Sequence, residues 1–125
     1  MSVLMKNPEK YFRRFIPKRS ALLKELEEEA FREDIPIVGP VVGELLFILT
    51  RIIRAGRILE LGTATGYSAI FIAEAFENIE GQLITLENDP VMAARARNNF
   101  IRAGIGHQIR ILLGHPIEER KNLPR

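Results

Sequence analysis

The stretch Glu60-Leu61-Gly62-Thr63-Ala64-Thr65-Gly66-Tyr67-Ser68 decides the fold. It overlaps the end of a short β-like run, Arg57-Ile58-Leu59-Glu60-Leu61, and leads into Tyr67 to Phe76, which reads as a helix. Working downstream, Gly81 marks a turn and Gln82 to Glu87 is a second β-like run. Asp89-Pro90 is a cap followed by a first-turn proline, opening a helix to about Ala103 that Gly104 stops. Gln108 to Leu113 is a third β-like run. Strands alternating with helices of ten or more residues predict βαβ units and a parallel sheet.

Upstream the pattern is helical. Asn7-Pro8 starts a short helix with Tyr11, Phe12 and Phe15 on its apolar side, and Pro17 ends it. Ser20 caps a second helix running to about Asp34. Leu22, Leu23, Leu26, Ala30 and Phe31 share one face, while Lys24, Glu25, Glu27, Glu28 and Glu29 fall on a face expected to be solvated. Residues 35–40 break the pattern with two prolines and a glycine. Pro40 then opens a third helix, apolar almost all round and so expected to be buried, which stops at Gly56.

Composition sets wide limits. The chain has 125 residues, 46% apolar and 27% charged, with a net charge of +2, which suits one globular domain with a core. It has no cysteine, so disulfides, thiolate metal sites and cysteine nucleophiles are excluded, and a cytoplasmic protein is the expectation. Met1 to Lys10 lacks the apolar core of a secretory signal, and Val41 to Ile53 is too short to span a bilayer. Arg13, Arg14, Lys18 and Arg19 form a basic cluster that is either a solvated face or a patch for an anionic partner.

In open α/β sheets, ligands bind beyond the carboxyl ends of the strands. Glycines after the first strand permit positive φ and a close backbone approach, and the following helix offers free N–H groups and a positive dipole end. A nucleotide-like ligand suits such a loop. A dinucleotide loop wants G-x-G-x-x-G, but counting from Gly62 this chain has Ala64 and Tyr67 where the second and third glycines belong. What is present is E-x-G-x-x-x-G, built on Glu60, Gly62 and Gly66. Glu87 ends the second strand 21 residues after Gly66, where an acidic residue takes ribose hydroxyls. A carboxylate suits that task because it can accept from both hydroxyls.

The E-x-G-x-x-x-G loop with Glu87 resembles the first motif of class I S-adenosylmethionine-dependent methyltransferases. Residues 17–37, Gly43-Glu44-Leu45-Leu46 and Arg57 to Ile70 together resemble the metal-dependent O-methyltransferase family of catechol and caffeoyl-CoA O-methyltransferases. Within that family the look is nearest to bacterial tRNA 5-hydroxyuridine methyltransferases. The implied fold is α/β: a Rossmann-like methyltransferase fold with N-terminal helices, truncated after the third parallel strand. Residues 1–39 would form the helical segment and 40–125 the first half of the cofactor-binding domain.

The resemblance also implies roles. Val38 and the Gly39 region would line the methionine end of S-adenosylmethionine, with Gly62, Thr63 and Ala64 passing close to the cofactor. Tyr67 and Ser68 would reach its amino-acid portion, Ser68 bonding the carboxylate. Glu60 would order the loop, through backbone N–H groups if it acts as an ordinary strand carboxylate. Glu87 would hold the ribose, Asn88 would flank the adenine, and the Gly114-His115-Pro116 turn would approach the ring. Many relatives carry Gly-Asp-Ala at that turn, where the Asp accepts from the adenine amino group. His115 could accept only through a neutral ring nitrogen, or is simply an exposed loop residue. The acidic cluster that binds a divalent metal such as Mg in the family has no counterpart before Arg125, so neither metal ligands nor a catalytic base are assigned. Methyl transfer to a hydroxyl is the implied reaction, on tRNA or a small catechol-like acceptor, and the fragment alone is expected to be inactive. The alternative is a short protein that binds cofactor or a partner without catalysis. The basic cluster favours tRNA as acceptor. A first strand left at a sheet edge predicts a homodimer or other association through that edge.

Overall fold

The computed structural model describes residues 5–77, 80–119, 121 and 123. Its elements run α1 (Pro8–Phe12), α2 (Ala21–Glu33), α3 (Gly39–Ile52), β1 (Arg57–Leu61), α4 (Tyr67–Glu74), β2 (Gln82–Glu87), α5 (Pro90–Arg102), a 3-10 turn (Gly106–Gln108), β3 (Ile109–Leu113) and α6 (Pro116–Glu119). The sequence from Pro116 to Asn122 also reads as the start of a helix; α6 forms its first turn, and residues 120 and 122 lie outside those described.

Local chemistry explains most boundaries. Asn7 caps α1 by accepting from the Lys10 N–H, and Ser20 caps α2 by accepting from the Leu23 N–H. α2 ends where Asp34 turns left-handed (φ 55°) and the Ile35 N–H returns to the Ala30 carbonyl. Asp89 caps α5 through the N–H groups of Val91 and Met92, with Pro90 behind it. Gly104, at φ 73°, follows the end of α5.

The three strands form one parallel sheet in the order β1-β2-β3. Ile58, Leu83, Ile109 and Ile111 face a core built with Leu23 and Leu26 of α2, Tyr67, Ile70 and Phe71 of α4, and Ala96 and Phe100 of α5. Each large apolar side chain buried there contributes about 2 kcal/mol. α3 packs on α4 so closely that a Cβ at Gly43 would come within 2.5 Å of the Phe71 ring.

Among the described residues no helix layer covers Leu59 and Leu61 on the opposite sheet face, and both are exposed. Leu59 and Ile84, flanked by Arg57, Gln82 and Arg110, line a depression of about 570 Å³ at the end of the strands remote from the glycine loop. β1 pairs only with β2, so its outer edge is open among the described residues. No helix among them is long and apolar enough to cross a membrane.

Three expectations about the helices need correcting. Phe31 is 92% exposed, because it lies at the margin of the α2 stripe whose centre is Leu23, Leu26 and Ala30. α3 is not buried all round: Pro40, Gly43 and Thr50 are covered, while Leu45, Ile48, Leu49 and Ile52 are exposed. One helix face suffices to meet α4, and composition could not say that the other face stays exposed among the described residues. The acidic side of α2 is not simply solvated. Glu25 pairs with Arg102 and Glu29 and Glu33 pair with Arg95, which ties α2 to α5.

Candidate functional site

The loop between β1 and α4 lies at the carboxyl end of the sheet. Gly62 donates to the Leu86 carbonyl at 2.9 Å, which holds the loop against β2, and Gly66 donates to the Thr63 carbonyl at 2.9 Å, which closes the loop on itself. Gly62 (φ 89°), Ala64 (φ 48°) and Gly66 (φ 88°) are all left-handed. The two glycines serve different ends. A Cβ on Gly62 would meet nothing within 4 Å, so the backbone there is open to an approaching ligand. A Cβ on Gly66 would come within 2.4 Å of the Phe100 ring, so that glycine is also needed for packing.

Glu87 is the organising group. It is 9% exposed, and its carboxylate accepts four backbone N–H bonds. Oε2 takes those of Thr63 (3.2 Å) and Ala64 (2.7 Å), and Oε1 those of Asn88 (2.9 Å) and Asp89 (3.0 Å). Four N–H groups match the lone-pair capacity of one carboxylate. The same residue's carbonyl accepts from Gly114 at 2.9 Å, joining the β3 turn to this centre. One side chain thus binds the glycine loop to the residues that open α5.

Glu60 is the second carboxylate. The possible backbone N–H partners are not the ones it takes. Ser68 Oγ donates to it at 2.5 Å and Thr85 Oγ1 at 2.7 Å. The reason is alternation: Glu60 points to the helix-covered side, in register with Thr85. Thr63 Oγ1 lies 2.6 Å from Thr85 Oγ1, extending the chain of hydroxyls. Burial raises the Glu60 carboxyl above the usual range, and the two hydroxyl bonds pull against that rise.

Other candidates sit differently from expectation. Tyr67 is 1% exposed, and its hydroxyl donates to Glu27 of α2 at 2.6 Å, so its ring serves the core. Ser68 has committed its hydrogen to Glu60, so its oxygen is left as an acceptor, better suited to an ammonium than to a carboxylate. His115 is exposed, and Nδ1 accepts from the Ile117 N–H at 3.4 Å. That contact engages Nδ1 and leaves Nε2 for any other partner. Val38 is exposed at the start of α3, and Asn88 is exposed beside Glu87. In the basic cluster, Arg19 is held by Glu27 at 2.5 and 2.9 Å, and Arg13 bonds Glu9 at 3.1 Å.

Sequence reasoning missed three supports of the loop. Asn99 is buried, and its Nδ2 donates to the Thr65 carbonyl at 2.9 Å. Phe100 fills the space that Gly66 leaves. Glu27 receives Tyr67. Asn99 had a readable signal, a polar residue on the stripe of Ala93, Ala96 and Phe100 at helical spacing. Thr65 Oγ1 is buried with no hydrogen-bond partner among the described residues. Among those residues no three His, Asp or Glu side chains converge as a metal site, so the metal implied by resemblance has no ligand set here and no step is assigned to one.

A glycine loop after the first strand and a carboxylate ending the second lie at the carboxyl end of the sheet, where open parallel α/β sheets take their ligands. The sequence profile of the O-methyltransferase family matches residues 16–123, and the chain belongs to that family. It is 46% identical over 81 residues to a catechol O-methyltransferase of Niastella koreensis, covering 65% of this chain and 36% of the relative. It is 36% identical over 76 residues to a catechol O-methyltransferase of Mycobacterium tuberculosis, covering 61% and 34%. The O-methyltransferase TomG of Streptomyces achromogenes, solved with S-adenosylmethionine, superposes with a TM-score of 0.83 at 31% identity, over 94% of this chain and 53% of that one. A Bacillus cereus O-methyltransferase solved with S-adenosylhomocysteine gives 0.81 at 27% identity, over 94% and 55%. The chain thus spans about a third of the length of these curated relatives and about half of the solved structures.

The buried Glu60 gives a pH prediction. The folded chain holds the Glu60 proton more tightly than the unfolded chain, so stability falls as pH rises from the ordinary carboxylate value through the raised folded one. Glu60→Gln removes that charge while keeping a hydrogen-bonding group. Chemical denaturation from pH 4 to pH 8 should show a flatter stability profile for the variant, with its gain over the parent at the alkaline end. An unchanged profile would contradict the assignment.

Proposed function

We propose that the Glu60–Ser68 loop and Glu87 bind S-adenosylmethionine, and that the domain containing them transfers its methyl group to a hydroxyl oxygen. The observation that carries the reading is the Glu87 carboxylate, set at the end of β2 directly against the loop N–H groups of Thr63 and Ala64. Gly62 leaves open space over the strand end, and the N-terminus of α4 supplies N–H groups unused by its own helix. In this reading one ribose hydroxyl donates to Glu87 Oε2 as the 3.2 Å Thr63 contact gives way, while the other three backbone bonds stay in place. Gly62, Thr63, Ala64 and Gly66 give the methionine end a close backbone path. Ser68 and the Glu60 it bonds face the ammonium, and Val38 borders that end. Asn88 flanks the adenine, and His115 offers Nε2 to the ring.

The reaction is an in-line displacement. The acceptor oxygen forms a bond to the methyl carbon as the carbon–sulfur bond breaks, the pair stays on sulfur, and the hydroxyl proton leaves. Positioning and exclusion of water are what binding residues contribute to such a step. No base is assigned among the described residues. For the acceptor, we favour a small catechol-like hydroxyl over tRNA. The relatives are named as catechol O-methyltransferases. In the basic cluster, Arg19 and Arg13 are paired with Glu27 and Glu9, and the Arg14 guanidinium lies over the Phe15 ring, so the cluster is partly committed within the chain.

Calorimetry tests the cofactor reading. S-adenosylhomocysteine should bind, and its 2′-deoxyribose analogue should bind about tenfold more weakly, the loss of one bond to a charged acceptor. NAD binding more tightly than S-adenosylhomocysteine would overturn it. For association, the open β1 edge with exposed Leu59 and Leu61 supports pairing with further polypeptide, a second copy in the simplest case. Light scattering at high concentration should show species larger than a monomer, and a monodisperse monomer would count against that.

A further inference from the structure

The acidic face of α2 reaches the cofactor loop by two polar routes. In the first, Arg19 donates to both oxygens of Glu27, at 2.5 and 2.9 Å. Glu27 Oε1 also accepts the Tyr67 hydroxyl at 2.6 Å. Tyr67 is the first residue of α4, directly after the left-handed Gly66. Its neighbour Ser68 bonds Glu60. In the second, Glu25 holds the Arg102 guanidinium, Arg102 also contacts Asn99 Oδ1 at 3.4 Å, and Asn99 Nδ2 carries the Thr65 carbonyl. The second route is mostly exposed and so contributes little.

The first route is different in kind. The Arg19 and Glu27 side chains are largely withdrawn from solvent, and the Tyr67 ring is buried against Phe71. Burial and the adjacent Glu27 carboxylate push the phenol far above its ordinary range, so it donates as a neutral hydroxyl at any working pH. Arg19 fixes the carboxylate, the carboxylate fixes the phenol, and the phenol fixes the residue from which both the loop and α4 take their direction. A small misplacement of a binding loop costs much of its affinity.

We propose that Glu27 is a positioning residue for the cofactor loop: held by Arg19, it orients the loop through the Tyr67 hydroxyl, so that docking of α2 and binding of S-adenosylmethionine are linked. The inference rests on the cofactor reading above. Linkage of this kind is established by coupling energies and not by proximity.

The test is calorimetric titration of S-adenosylhomocysteine into the wild type, Tyr67→Phe, Glu27→Ala, the double variant and Glu27→Gln, at a temperature where circular dichroism shows each folded. Tyr67→Phe and Glu27→Ala should each weaken binding about fivefold, and the double variant no more than the weaker single. Glu27→Gln should restore most of the affinity, because its amide oxygen still accepts the phenol. Singles that lower the melting temperature but leave the affinity unchanged would overturn the proposal, as would independent effects that multiply in the double variant. If Glu27→Ala fails to fold, Tyr67→Phe decides alone, since it deletes a single oxygen atom. Absence of binding by the wild type would instead overturn the cofactor reading and remove this one with it.

Discussion

The structure depends on one buried carboxylate being fully satisfied. A desolvated Glu is costly unless it is paired or bonded. Glu87 avoids that cost by taking four backbone N–H groups, two from the loop after β1 and two from the turn into α5. Charge-assisted bonds of this type contribute about 1.5–3 kcal/mol each. The Thr63 and Ala64 N–H groups gain equally, because past Gly62 the loop turns left-handed at residues 64 and 66 and leaves the ladder. The glycine loop and Glu87 therefore specify each other.

The helices then supply what the loop cannot. Phe100 occupies the space beside Gly66, Asn99 holds the Thr65 carbonyl, and Tyr67 anchors the start of α4 under α2. The charged face of α2 lies against α5 and α4, and the apolar faces of both close on one side of the sheet. The site is thus a shelf at one end of the strands, tied down by hydrogen bonds from β2, α2 and α5. The other sheet face and the outer side of α3 still expose leucine and isoleucine.

Much of this was legible in the residues. The caps at Ser20 and Asp89, the three strands, the parallel pairing and the left-handed backbone at Gly62 follow from periodicity and turn chemistry. What was not legible has a common cause: contacts distant in sequence. Glu27 and Tyr67 are 40 residues apart, and Arg102 and Glu25 are 77 apart. A helical wheel shows which side of α2 is charged but not that another charged helix lies beside it. For the same reason α3 read as buried from composition, although only one of its faces has a partner here. Glu60 was placed correctly at the strand end, but its partners, Ser68 and Thr85, follow from the register of β1 on β2, which no local pattern fixes.

The central claim is that one shelf, made by the loop and Glu87, receives the cofactor. Hydrogen exchange read by mass spectrometry with and without S-adenosylhomocysteine tests it most directly. The account predicts slower exchange on binding confined mainly to peptides spanning residues 60–68 and 86–89. Ligand-induced protection that falls elsewhere, on the remote depression around Leu59 and Ile84, and leaves those peptides unchanged would contradict it.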